Sequence, residues 1–539
     1  MYQARKLVLW HFWVAFIAFF AAILLGEWQM FVRSPLSPWV NNPEHYYRSV
    51  TGHGTVMAYV MPTLVAMGFG YAITELALKR ALIGLRWAWV GFWLVIAGTL
   101  MAALTTALGK SSVLYTFYPP MIGSTFYYLG IVLVVVGSWI WVALMSINLR
   151  AWTKANPGAT VPLAMYGNVT GAYLWAWTSV GAASEILLLI LPATTGFTDT
   201  INVGLARVLF SWTLHAIVYF WLMPAYIAFY TLFPRAIGGR LYSDTMGRVS
   251  FALFLVFSMP IGIHHLFADP QLGAGFKFVH AVMTAMVSIP TLLTVFTIVA
   301  SAEIVGRLRG GKGPLGWVKT LPWNNPWMLG VTLAFIMLGF GGAGGIINMS
   351  YQLNESIHNT QWVTGHFHLI FGGAIVIMYF LVAYELWPQL SSCAPLSPRL
   401  IKMQLWTWFI GMMILTMPWH LVGLLGAPRR MAYYDYTHPQ LAPQAITVTM
   451  STFGGLILVI SAAIFIYILA SARRQSVSVP AFTFSQAVHS SSKPPAALNS
   501  LGLWLAMMIA LTVVNYGYPI VQLALIPEAS VPVIPIGAR

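Results

Sequence analysis

The chain has 539 residues, 59% of them hydrophobic and 7% charged, with a mean hydropathy of +0.77. Soluble domains carry about 25% charged residues, so the composition excludes a string of soluble domains and predicts one all-α integral membrane bundle over residues 1–539. The net charge of +15 comes from basic residues scattered through short loops, which excludes a nucleic-acid partner, and the single cysteine, Cys393, excludes an intrachain disulfide or a multi-cysteine metal centre.

Apolar runs of about 20 residues, each long enough to cross a bilayer, recur about thirteen times. They cover roughly 7–32, 49–78, 87–108, 126–148, 170–193, 206–233, 248–266, 276–303, 327–345, 361–387, 402–424, 447–471 and 501–524. The first begins after Arg5 and Lys6 with no small-residue cleavage site, so it reads as a retained helix. Alternating the spans from a cytoplasmic N-terminus puts 19 of the 27 Lys and Arg residues inside, among them Arg235, Arg307, Arg473, Arg474 and Lys493. The C-terminus then lies outside. Two of the outside cations, Arg429 and Arg430, are adjacent and call for a separate explanation. The Ser-, Ala- and Pro-rich segment 475–500 reads as a flexible inner linker.

His53, His215, His264, His265, His366 and His368 all lie within apolar spans. Ionisable residues inside membrane helices are uncommon and usually functional. Lone cases such as His11 and His280 read as core histidines bonded to a backbone carbonyl. The six share a depth: alternation places all of them in the outer half of the membrane. Imidazole suits iron and copper, and no thiolate or carboxylate cluster competes here. His366 and His368 project about 200° apart around their helix, so they serve different metals on its two sides. Two haems flanking the tenth span satisfy this, with His53 able to complete the coordination of one and the other left with an open face. His215, His264 and His265 remain as three imidazoles for a copper ion. Tyr219 lies one turn from His215 on the same face, where a phenol can supply a proton and an electron; alone it would read as a core tyrosine.

At these residues the chain resembles subunit I of the haem–copper oxygen reductases, most closely the B family of cytochrome ba-type oxidases. The signatures are Trp362-Val363-Thr364-Gly365-His366-Phe367-His368-Leu369, Gly262-Ile263-His264-His265, His215-Ala216-Ile217-Val218-Tyr219-Phe220-Trp221 and Tyr115-Thr116-Phe117-Tyr118-Pro119-Pro120. The resemblance implies the catalytic subunit of a proton-pumping terminal oxidase of a prokaryotic cytoplasmic membrane, reducing oxygen to water. It implies His53 and His368 on a low-spin haem of b type, and His366 on a high-spin a-type haem. It places copper on His215, His264 and His265, with Tyr219 joined covalently to His215. Arg429 and Arg430 then clamp haem propionates, which explains the outer cations, and His358 lies on a proton exit route. The implied partners are a second subunit with a dinuclear copper centre, cytochrome c as donor (quinol is the other candidate), a small single-helix subunit and membrane lipid. Departures from the family pattern are Leu214 and Ala216 where Gly and Pro are common, and Asn354, beside Glu355, where the B family has an aspartate. The A-family glutamate near the copper histidine is absent, Ile217 standing on that face.

Protons drawn from inside must reach this outer site. Tyr219, Tyr226 and Tyr230 fall within about 20° of one face of the sixth span. Thr291, Thr294 and Thr297 repeat every three residues along the eighth. Both stripes also suit ordinary packing, but the resemblance makes them a proton-uptake path. Glu185 is an acidic residue deep in a span; it either helps proton transfer or hydrogen-bonds a neighbour. A nitric oxide reductase of the same superfamily would need carboxylates near the second metal, and a non-redox proton-coupled transporter would leave the shared histidine depth without a cause.

Overall fold

The computed structural model describes residues 3–38, 42–439, 441–472, 482–490, 494–526 and 529–536. Arg473, Arg474 and Lys493 lie outside the described residues. The long helices are α1 (Arg5–Arg33), α2 (Pro43–Leu78), α3 (Leu85–Ala107), α4 (Thr125–Ala155), α5 (Leu163–Thr194), α6 (Val203–Thr231), α7 (Asp244–Phe257), α8 (Ala274–Leu308), α9 (Pro326–Met349), α10 (Gln361–Ser391), α11 (Pro398–Leu424), α12 (Gln444–Ser471) and α13 (Gly502–Ala524). Twelve of them, all but α7, are long and apolar enough among the described residues to cross a membrane.

The starts of several helices are written locally. Asn42, Asn325 and Ser397 each cap a helix by accepting a backbone N–H, and each is followed by a proline at the first helical position. Ser124 and Asn202 cap α4 and α6 in the same way. These caps satisfy N–H groups that the helix itself leaves unpaired, and proline suits a position where its missing N–H is no loss.

The seventh predicted span, 248–266, departs from expectation. Its helix is α7, only 14 residues long, and it stops at Phe257. Pro260 interrupts the backbone bonding, and the histidine pair sits on a separate 3₁₀ turn, Gly262–Leu266. A side chain at Gly262 would place its Cβ 1.8 Å from the carbonyl oxygen of Ser211 on α6. Only glycine lets this turn approach α6 so closely.

The two ends of the bundle are chemically distinct. At one end, Arg5 donates to Leu390 O at 2.8 Å, Glu75 accepts from the N–H groups of Gln3, Ala4 and Leu82, and Arg235 pairs with Glu385. This is the Lys/Arg-rich end. At the other, Tyr47 donates to Arg430 O, Tyr436 to Arg33 O, and Arg207 pairs with Asp269. Burial ranks the helices: 89% of the apolar window of α2, 83% of α10 and 72% of α6 is inside, against 39% for α3 and 28% for α13. The three innermost helices therefore carry His53, His366, His368 and His215.

Short strands tie the loops. At the Lys/Arg-poor end, β1 (Met121–Ile122) pairs with β6 (Ile534–Pro535), and β2 (Thr200–Asn202) with β5 (Ser530–Pro532). At the other end, β3 (Leu241–Ser243) pairs in parallel with β4 (Ala487–His489), and Ser485 N–H donates to Thr231 O at 2.7 Å. The described part of the expected linker is thus docked on the bundle between α6 and α7.

Candidate haem and copper site

The 3₁₀ turn presses His264 and His265 against α6. The ligand atoms of His215, His264 and His265 all lie within 4.8 Å of one another. Ring centroids are 4.5 Å apart for His215–His264 and 4.1 Å for His264–His265. His215 Nδ1 is 3.1 Å from His265 Nε2, and His215 Nε2 is buried with no hydrogen-bond partner among the described residues. Three converging imidazoles, one with an orphaned nitrogen, fit a metal ion that takes nitrogen ligands. His264 is held from behind: its Nδ1 is 3.1 Å from Thr284 Oγ1, and Thr284 donates to His280 O at 2.6 Å. Such support orients a ligating ring. His280 also accepts from Ile263 N–H at 3.4 Å, so it steadies the turn, whereas His11 is 2.8 Å from Leu7 O, as expected of a core histidine.

The tenth helix separates its two histidines. His368 faces α2: its ring and that of His53 are inclined by only 14°, with centroids 6.1 Å apart. His53 Nδ1 lies 2.8 Å from Ala22 O and His368 Nδ1 2.8 Å from Thr364 O. Both tautomers are thereby set, and each Nε2 is left without a protein partner among the described residues. The spacing accommodates one metal ion with a bond of about 2 Å to each ring. His366 faces α9 instead. It stacks on Trp362 at 5.7 Å, and a Cβ at Gly344 would fall 2.5 Å from its Nδ1. At His368 the α-helix passes into a π-helix, His368–Ile375, and a second π-turn, Val56–Val60, begins three residues after His53. Such bulges are frequent at functional sites.

Tyr219 lies beside the copper-type cluster, its ring centroid 4.9 Å from that of His215. The two hydroxyl stripes face each other further toward the Lys/Arg-rich end. Tyr226 Oη is 3.2 Å from Thr291 Oγ1, and Tyr230 donates to Thr294 at 2.9 Å. Thr297 continues the stripe, donating to Leu293 O. Glu185 is fully buried at the end of the regular part of α5, and neither carboxylate oxygen has a hydrogen-bond partner among the described residues.

On the opposite side, His358 Nδ1 is 3.2 Å from Asn354 Oδ1, and Asn354 Nδ2 reaches Asn348 O at 2.8 Å and His264 O at 3.5 Å. Asn354 thus links His358 to the backbone of a copper-type histidine. Burial, and then the Arg429 guanidinium, hold the His358 imidazole below its ordinary range. Arg429 donates to Asn359 Oδ1 at 2.8 Å, in the loop before α10, and Arg430 has φ +64°, so the arginine pair is tied to that loop.

The family Cytochrome C and Quinol oxidase polypeptide I matches residues 6–457. The chain belongs to this family. It is 36% identical to cytochrome c oxidase subunit 1 of Thermus thermophilus over 97% of this chain and 95% of that protein. It is 25% identical to cytochrome c oxidase subunit 1 of Synechocystis over 83% and 79% of the two chains. A chain of a heme-copper terminal oxidase dimer, solved by cryo-EM, superposes with a TM-score of 0.92 at 31% identity, covering all of this chain and 97% of that one. This is therefore the catalytic subunit of a haem–copper terminal oxidase, a multi-pass protein of a prokaryotic membrane. The family carries haem and copper.

Sequence reasoning missed several residues that shape the site. Thr284 bears no mark in the sequence beyond its i+4 spacing from His280. His420 lies 5.3 Å from Trp362, and a Cβ at Gly365 would meet it at 2.8 Å. A further histidine in an apolar span was a signal that could have found it.

Proposed function

We propose that this subunit reduces oxygen to water at a high-spin haem and copper centre, with electrons from cytochrome c delivered through a second subunit bearing dinuclear copper. The observation that carries this reading is the pairing of two histidine sets: three converging imidazoles with Tyr219 beside them, and two near-parallel rings across α2 and α10. When bound, the metals supply one-electron chemistry and an open coordination site. His53 and His368 hold a low-spin haem of b type, His366 a high-spin a-type haem, and His215, His264 and His265 the copper. Tyr219 holds a proton at Oη beside the reacting centre, and Arg429 and Arg430 orient the propionates. The metal-capable group among the described residues contains no carboxylate, which disfavours a nitric oxide reductase. Lysine and arginine excess assigns the Lys/Arg-rich end to the cytoplasm, so protons travel from the Thr297 end of the two stripes toward Tyr219 and leave past His358. The test is an absorption spectrum with metal analysis of the purified enzyme. Two haems and one copper in this subunit are expected; iron in place of copper would favour the reductase, and a protein without haem would sink both readings.

The route carries its own prediction. Thr294→Val keeps the shape of the side chain and removes the hydroxyl that anchors Tyr230. One neutral hydrogen bond is worth about 1 kcal/mol, so turnover should fall about threefold to fivefold with unchanged haem spectra. Steady-state oxygen consumption and proton uptake from the inner side of vesicles would show it. Thr116→Val, at the other end of the bundle, should leave uptake much less affected.

A further inference from the structure

The hydroxyls between α6, α7 and α8 differ in where their hydrogens are held. Thr294 Oγ1 donates to Pro290 O, Thr297 Oγ1 to Leu293 O and Ser301 Oγ to Thr297 O, each at 2.7 Å. A hydroxyl has one hydrogen. While its own helix holds that hydrogen, it can accept a bond but cannot pass a proton on. Buried threonines and serines commonly bond back to their own helix in this way.

Ser250 does not. It is fully buried on the second turn of α7, and its one hydrogen-bond partner among the described residues is Tyr230, which donates to Ser250 Oγ at 2.9 Å. No carbonyl holds the serine hydrogen. Tyr230 therefore stands between two acceptors at equal distance, Ser250 on α7 and Thr294 on α8, with one hydrogen to share. One of them has a hydrogen available to return and the other does not. Further along, Thr291 has Tyr226 as its one hydrogen-bond partner among the described residues, and either oxygen can be the donor. The freely donating hydroxyls are thus Ser250, Tyr230, Tyr226 and Thr291, drawn from three helices. The regular threonine stripe of α8 shares only Thr291 with this set.

We propose that Ser250 is the hydroxyl that passes protons to Tyr230, and that Thr294 is a positioning residue that holds the tyrosine. The proposal rests on the reading of this region as the proton-uptake route. With the Tyr230 hydrogen turned toward Thr294, Tyr230 Oη accepts from Ser250. When a proton arrives on Ser250 Oγ, the original Ser250 O–H bond breaks and an O–H bond forms at Tyr230. Tyr230 Oη then holds two hydrogens; the hydroxyl rotates away from Thr294 and releases its former hydrogen toward Tyr226, one turn along α6. One proton enters, one leaves, and no oxidant or reductant is involved. Rotation of the serine and tyrosine hydroxyls resets the pair.

The experiment compares Ser250→Ala, Thr294→Val and wild type as complete, metal-loaded oxidase in vesicles. Ser250→Ala removes one oxygen from a packed helix, so haem spectra and copper content check that it folds. The expected result is a fall in kcat of about tenfold or more, short of the roughly 10²-fold lost with a proton donor at the reacting atoms. The KM for the electron donor should stay unchanged, the solvent deuterium isotope effect should rise, and the loss should exceed that of Thr294→Val. Unaltered turnover in Ser250→Ala beside slow turnover in Thr294→Val would overturn the assignment while leaving the route intact. Wild-type turnover in both would overturn the route as well. A slow Ser250→Ala enzyme whose isotope effect does not move would reduce the serine to a packing role, against the proposal.

Discussion

Tyr219→Phe is expected to retain both haems and the copper while losing at least about 10²-fold in oxygen consumption, the scale of a lost catalytic proton donor. The phenyl ring keeps its contact with Phe254, 5.9 Å away between centroids, and the imidazole of His215 one turn along α6 is untouched. Only the hydroxyl is lost. The oxygen atoms being reduced need protons and a fourth electron within reach, and Tyr219 carries the nearest phenol to the three imidazoles in the sequence of α6. Spectra, copper analysis and steady-state oxygen uptake would be read on the same preparation. Peptide mass spectrometry of the wild-type enzyme should recover the His215 and Tyr219 segments joined. Full activity in the phenylalanine variant, or clean separation of the two peptides from active enzyme, would remove Tyr219 from the reaction.

The second large effect separates the two histidines of α10. His368→Ala is expected to abolish the low-spin haem band and leave carbon monoxide binding to the other haem largely present; His366→Ala should do the reverse. The geometry behind this is specific. His368 faces His53 on α2, whereas His366 lies against Trp362 and Gly344 on the side of α9. Truncating either ring deletes a ligand from one side of the helix only. If both variants lost the same band and spared the other, the two-sided arrangement would be wrong.

The spans were legible because hydropathy reports burial in lipid or in the bundle, and nine of the thirteen predicted starts lie within three residues of the helices now seen. The prediction for the fifth span began seven residues late, at 170 instead of Leu163, because Tyr166, Gly167 and Asn168 lower the local hydropathy. The seventh failed for a different reason. Pro260 and Gly262 were in plain view, but an apolar window averages over them and cannot see a carbonyl of α6 at contact distance. The histidines could be grouped because alternating spans convert sequence position into depth. Depth does not give azimuth, however, so the Thr284–His264 bond and the orphaned nitrogen of His215 could not be read. Ser250 was invisible for the same reason: its partner lies on another helix, and nothing in its neighbours in sequence marks a hydroxyl whose hydrogen is uncommitted. Strand pairs such as β3–β4 join segments far apart along the chain, beyond any local pattern.

The pairings of β5 and β6 have a consequence for biogenesis. They lock the loops at Met121–Ile122 and Thr200–Asn202 with residues from the last ten of the chain. About 410 residues separate Met121 from Ile534. At roughly 5–20 residues per second of synthesis, the earlier loop waits on the order of 20–80 s for its partner. Throughout that interval the loop bearing Tyr115 to Pro120, which leads into β1, is without its final clasp. Until Ser530–Pro535 has been made, that face of the nascent subunit is unclasped, which leaves a period in which prosthetic groups can be installed before these strands close on it.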